Sequence, residues 1–99
     1  MYKRQICFSD ALAIGFLRAL RAASVRVPQD VAVLGFDGTA FSEFCEPPLT
    51  TVKQPLLELG RAGVNLLIDI VNRRGDNAVS KLVLDSQLVI RGSTQSATP

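Results

Sequence analysis

Histidine is absent from all 99 residues. Its absence excludes Ser-His-Asp and Cys-His relays, HExxH metal sites and every His-liganded zinc finger. Cysteine is scarce: Cys7 and Cys45 stand far apart with no CxxC spacing. A disulfide-stapled secreted domain of this size would carry four or more, so the pair reads as free thiols of a reducing cytosol. Asp, Arg, Lys or Gly interrupts every apolar run before the roughly 18 residues a membrane span needs. No signal peptide follows the charged start, because Lys3-Arg4 precedes no apolar core with a cleavage site. Gly35-Phe36-Asp37-Gly38 is neither GxGxxG nor a Walker loop, and no carboxylate cluster has EF-hand spacing. Proton transfer would fall to Asp, Glu or a depressed Lys. Nothing here argues for an enzyme, a metal or a cofactor.

Charge says little more. Eleven basic residues face nine acidic ones, and only Lys3-Arg4 and Arg73-Arg74 are adjacent. Nucleic-acid binding needs basic charge clustered on one face, which this pattern lacks. The start itself looks foreign. Tyr2-Lys3-Arg4-Gln5 resembles the translation of a transposon adapter found at the ends of shotgun-assembled reading frames, so residues 1–5 are set aside as a non-native scar. A short native basic arm is the other reading. Without Lys3 and Arg4 the balance is nine against nine.

Ile6-Cys7-Phe8 is a short apolar run closed by Ser9-Asp10, either of which can cap a helix. Ala13, Phe16, Leu17, Leu20 and Ala23 then recur at helical spacing, with Arg18 and Arg21 toward the end where cations suit the dipole. Beyond a loop with Pro28, Val31 to Phe36 is apolar at every position, as a strand covered on both faces of a parallel sheet would be. Asp37-Gly38-Thr39 has turn chemistry, and Ala40 to Leu49 reads as an extended loop. Thr50 to Lys53 is a short strand leading to Gln54.

Pro55 opens a second helix with the apolar stripe Leu59, Gly63, Leu66, Leu67, Ile70 and Val71. Gly60 and Gly63 weaken it, which implies close packing against a sheet. Polar Asn72 to Ser80 ends that helix. Leu82 to Leu84 and Leu88 to Ile90 make a last strand or strand pair, and Ser93 to Pro99 a frayed polar tail.

The fold class is therefore α/β, an open parallel sheet in three layers, ordered β-α-β-loop-β-α-β. Two helices cannot cover both faces of such a sheet. The chain reads as the last piece of a larger domain, its apolar surface partly bare. Ligands of open parallel sheets bind beyond the carboxyl ends of the strands. Ser9 and Asp10, Asp37 and Gln54 fall there, a set suited to hydrogen bonding a polyhydroxylated ligand. Taken by spacing alone, Asp10 and Asp37 read as readily as cap and turn residues.

Three strings carry more. Ser9-Asp10-Ala11-Leu12-Ala13-Ile14-Gly15, Val27-Pro28-Gln29-Asp30-Val31-Ala32-Val33-Leu34-Gly35-Phe36-Asp37 and Pro47-Pro48-Leu49-Thr50-Thr51-Val52-Lys53-Gln54-Pro55 closely resemble the lactose/galactose-repressor family of bacterial transcription regulators. Leu59-Gly60 and Arg91-Gly92-Ser93-Thr94 fit in the same order, so the resemblance spans residues 6–94 and leaves 95–99 as tail.

The resemblance implies the C-terminal part of a periplasmic-binding-protein-like sensor domain. Two subdomains of that fold hinge around a small effector, a sugar in the leading reading. Operator DNA is read by a helix-turn-helix that nothing in this chain matches. It further implies a cytoplasmic, non-catalytic homodimer. A transport-linked sugar-binding protein of the same fold is the alternative.

Asp37 matches the family's Gly-Phe-Asp aspartate, which binds effector hydroxyls or amines. Ser9-Asp10 stands where the family has Asn-Asp, so Ser9 is a departure while Asp10 keeps the cap. Gly38 replaces a common second Asp and frees the turn. Gln54 matches the segment crossing between subdomains. The dimer surface would take Ile14, Leu17, Arg18 and Arg21 with Phe44 and Cys45. Leu17 reads equally well as core.

Overall fold

In the computed structural model, which describes residues 3–73 and 81–95, the apolar runs pair into one sheet. Strands β1 (Lys3–Ile6), β2 (Val31–Asp37) and β3 (Thr50–Lys53) run parallel. Strand β4 (Gln87–Val89) joins β3 antiparallel, giving the order β1-β2-β3-β4. The open α/β sheet is as expected, but it is mixed rather than parallel throughout. An apolar run reports burial and carries no sign of strand direction. Among the described residues after Arg73 only Gln87–Val89 forms a strand; Leu82 to Leu84 does not.

The sheet also begins earlier than Ile6. Lys3, Arg4 and Gln5 pair with Val31, Ala32 and Val33. A ladder uses backbone groups, so charged side chains at an edge do not prevent it. Met1 and Tyr2 lie outside the described residues, as do 74–80, where most of the expected helix end falls, and the tail from 96 onward.

Helix α1 (Asp10–Ala22) follows β1 directly. Ser9, extended at φ −151° and ψ 162°, caps it by accepting from the Leu12 N–H at 3.1 Å. The cap is thus Ser9, and Asp10 is the first helical residue. Ala13 and Leu17, one turn apart, bury against β2 and meet Cys7, Val33 and Leu49. Phe16, Leu20, Val27 and Val31 pack around this small core.

The segment expected to be an extended loop contains a 3₁₀ turn, η1 (Ala40–Phe44), anchored by a buried Ser42. The Ser42 hydroxyl donates to the Thr39 carbonyl at 2.6 Å and accepts from the Arg91 guanidinium at 2.7 Å. Ser93 and Thr94, expected to fray, are built into the sheet unit instead. Ser93 is fully buried; its hydroxyl accepts from the Thr50 N–H at 2.8 Å and donates to the Val33 carbonyl at 2.6 Å.

The described chain divides into two units, one running to Lys53 and resuming at Gln87, the other from Gln54 to Ser86. The second holds α2 (Leu56–Arg73), where Leu59, Ala62, Gly63 and Leu66 line a hollow with Leu82 and Leu84. Within that unit nothing lies within 4 Å of where a side chain at Gly60 or Gly63 would begin. Apolar side chains stand exposed on both units, among them Ile6, Leu88 and Ile90 in one and Leu57, Val64 and Val71 in the other. No helix among the described residues is long and apolar enough to cross a membrane.

Candidate functional site

The carboxyl ends of β1 and β2 bring Ser9, Asp10 and Asp37 to one edge of the sheet unit. Asp37 ends β2 in register with Lys53 on β3 and is half-buried. Its φ of 114° is a left-handed value that a non-glycine residue seldom adopts, and Gly38 follows at φ 73°. Two such residues in succession turn the chain sharply away from the strand. A side chain at Gly38 would begin 2.6 Å from the Lys53 Cα, so the turn is pressed onto β3. Gly38 does not loosen this turn, as expected from sequence; it permits a close approach.

Asp10 is fully buried beneath the turn. Its Oδ2 accepts from both the Thr39 N–H at 2.7 Å and the Thr39 hydroxyl at 3.0 Å. Its Oδ1 accepts from the Thr51 hydroxyl at 2.6 Å, and Thr51 Oγ1 in turn accepts from the Gly38 N–H at 3.2 Å. A carboxylate at the first turn of α1 also lies at the positive end of the helix dipole. Both oxygens are therefore engaged inside the protein, which suits a support better than a ligand contact. Gly35 makes room for it: a side chain there would run into Asp10 Oδ1 and the Leu49 side chain.

Ser9 is half-buried with its oxygen turned to the helix end. Gln54 is the first residue of the second unit, and its carbonyl accepts from the Leu56 N–H at 2.9 Å. Sequence reasoning missed Thr39 and Thr51, whose hydroxyls complete the buried network. The available signal was the Gly35 and Asp10 pairing, since a buried carboxylate needs donors and the neighbouring strand supplies them. It also missed Phe8, 91% exposed and directly before Ser9. Among the described residues no cluster of three His, Cys, Asp or Glu could hold a metal ion.

The residues expected at a dimer surface partly converge. Ile14, Leu17, Arg18, Arg21 and Cys45 line a groove of about 180 Å³ with Glu46. Leu17 is only 7% exposed and belongs to the core as its floor, whereas Phe44 is 81% exposed. Burial raises both the Cys7 and Cys45 thiols above their ordinary range; at Cys45 the Asp10 charge adds to this and Arg91 partly opposes it. A raised thiol remains protonated at neutral pH and is a poor nucleophile. Alkylation of either cysteine by iodoacetamide at pH 7.5 should run slower than that of free cysteine and quicken as the pH is raised. Rapid modification of Cys45 at pH 7.5 would contradict its environment.

A family model described as periplasmic binding protein-like domain matches residues 5–94. The HTH-type transcriptional repressor CytR of Escherichia coli is 40% identical over 90 residues, covering 91% of this chain and 26% of that protein. The chain thus spans about a quarter of the length of such curated relatives. Among solved structures, a complex of the transcriptional regulator CelR with cellobiose superposes with a TM-score of 0.85 at 40% identity, over 92% of this chain and 28% of that one. A lac repressor dimer bound to operator and the anti-inducer ONPF gives a TM-score of 0.85 at 31% identity, over 95% and 28%.

Proposed function

Because the chain belongs to the periplasmic-binding-protein-like domain family, and its relatives are transcription regulators of the lactose-repressor type, we propose that it is the effector-sensing C-terminal part of such a regulator. The observation that carries this reading is Asp37: a half-buried carboxylate at the carboxyl end of a parallel strand, in a backbone conformation that needs support. That is where open parallel sheets bind small ligands. A carboxylate accepts two or more hydroxyl protons, and Phe8, directly before Ser9, offers an exposed ring. A sugar has both hydroxyl edges and an apolar face, which makes it the effector class that fits best; the cellobiose bound by a structural relative agrees with this.

Ser9 and Gln54 are secondary contacts in this proposal, and Asp10 supports rather than touches the ligand. The intact protein would be a cytoplasmic homodimer joined through the α1 groove and Phe44, with operator DNA read by a helix-turn-helix elsewhere in it. Effector and operator communicate only if the effector binds two conformations with different affinity.

Asp37→Asn in the intact protein should weaken sugar binding about ten- to a hundredfold, the usual loss for a charge-assisted hydrogen bond. The protein should remain folded. Calorimetric titration with cellobiose and a panel of mono- and disaccharides measures it. Unaltered affinity for every sugar that binds would refute the assignment of Asp37.

A further inference from the structure

The turn that carries Asp37 is held by its neighbours. A non-glycine residue at φ 114° persists only where its surroundings over-determine it. Here they do so through the two peptide units that follow. The Gly38 N–H donates to Thr51 Oγ1, and the Thr39 N–H and hydroxyl both donate to Asp10 Oδ2. The Thr51 hydroxyl has one proton, and Asp10 Oδ1 takes it at 2.6 Å. That fixes the orientation of the hydroxyl and leaves a lone pair for Gly38. Thr51 is fully buried and sits on β3 opposite Gly35, so its oxygen is carried by a strand and not by the turn it restrains. Its β-branched side chain is also stiff about χ1.

We propose that Thr51, with Asp10 behind it, is a positioning residue for Asp37. The pair keeps the Asp37-Gly38-Thr39 turn in its left-handed form before ligand arrives, so that the carboxylate is presented without an ordering step. The role rests on the effector reading above. It predicts that ligand affinity depends on a hydroxyl that makes no ligand contact.

The test is made without ligand, by hydrogen–deuterium exchange on the intact protein over the peptide spanning Phe36 to Thr39. Thr51→Val keeps the side-chain shape and removes the hydroxyl. Exchange at the Gly38 and Thr39 amides should rise about ten- to a hundredfold, the effect of losing a buried hydrogen bond. Thr51→Ser, which restores the hydroxyl, should return it to the original rate. Unchanged exchange in the valine variant, or a serine variant as fast as valine, overturns the proposal.

A second measurement covers poor folding of the valine variant. Asp37→Gly and Asp37→Ala both lose the carboxylate, but only alanine keeps a side chain at positive φ, so the glycine variant should unfold at the higher temperature of the two. Equal temperatures would show that position 37 is not held against its preference. Neither readout involves a sugar. Failure of the effector reading would appear instead in the Asp37→Asn titration, with exchange at Gly38 still governed by Thr51.

Discussion

Valine at position 38 is expected to destabilise the sheet unit by about 4 kcal/mol or more, enough to leave much of it unfolded. Two effects add. A β-branched residue at φ 73° costs about 1–2 kcal/mol on its own. Its Cβ would also begin 2.6 Å from the Lys53 Cα and 2.7 Å from the Lys53 Cβ, well inside van der Waals contact. Neither side can yield cheaply. The turn is tied down through the Gly38 N–H and Thr39, and Lys53 is paired on both sides, with Asp37 and with Gln87. Asparagine, which tolerates left-handed backbone, should relieve the first effect and keep the second, losing about half as much. Denaturant unfolding of the two variants separates the contributions. Equal and small losses for both would mean that β3 moves aside freely.

Ser93→Ala has the second largest expected effect, a loss of about 2–4 kcal/mol. The change removes one oxygen and leaves two backbone groups without their partners, the Thr50 N–H and the Val33 carbonyl. The site is fully buried, so water cannot readily replace it. Neighbouring bonds survive: Val33 N–H still reaches the Ser93 carbonyl at 3.0 Å and Ser93 N–H the Pro48 carbonyl at 2.9 Å. The segment should therefore keep its place while the unit weakens. A loss under about 1 kcal/mol in guanidinium unfolding would show that the two groups find other partners.

These two positions mark where the sequence could and could not be read. Val31 to Phe36 announced a buried strand, and Ala13 with Leu17 announced the inner face of α1, because burial writes itself in apolar spacing. Asp37 drew notice through its place after a strand and its neighbour Gly38. The direction of β4 left no such trace. Nor did Ser93, Thr51 and Thr39, since a hydroxyl that joins two strands looks the same in sequence as one facing water. Their partners lie 13 to 60 residues away, beyond any local pattern. The start of β1 left no trace either: Lys3 to Gln5 carry no apolar pattern, because an edge strand asks only for backbone groups.

The Ser93 bond to Val33 spans 60 residues, and that has a consequence for synthesis. On the ribosome, β1, α1, β2 and β3 emerge first and can begin to associate. The Thr50 N–H and the Val33 carbonyl cannot be sealed until the Arg91 to Thr94 segment leaves the exit tunnel, after all of α2 has passed. Through that interval the half-built sheet leaves apolar residues bare and backbone groups open. The last residues of the sheet unit to be made are therefore the ones that close it.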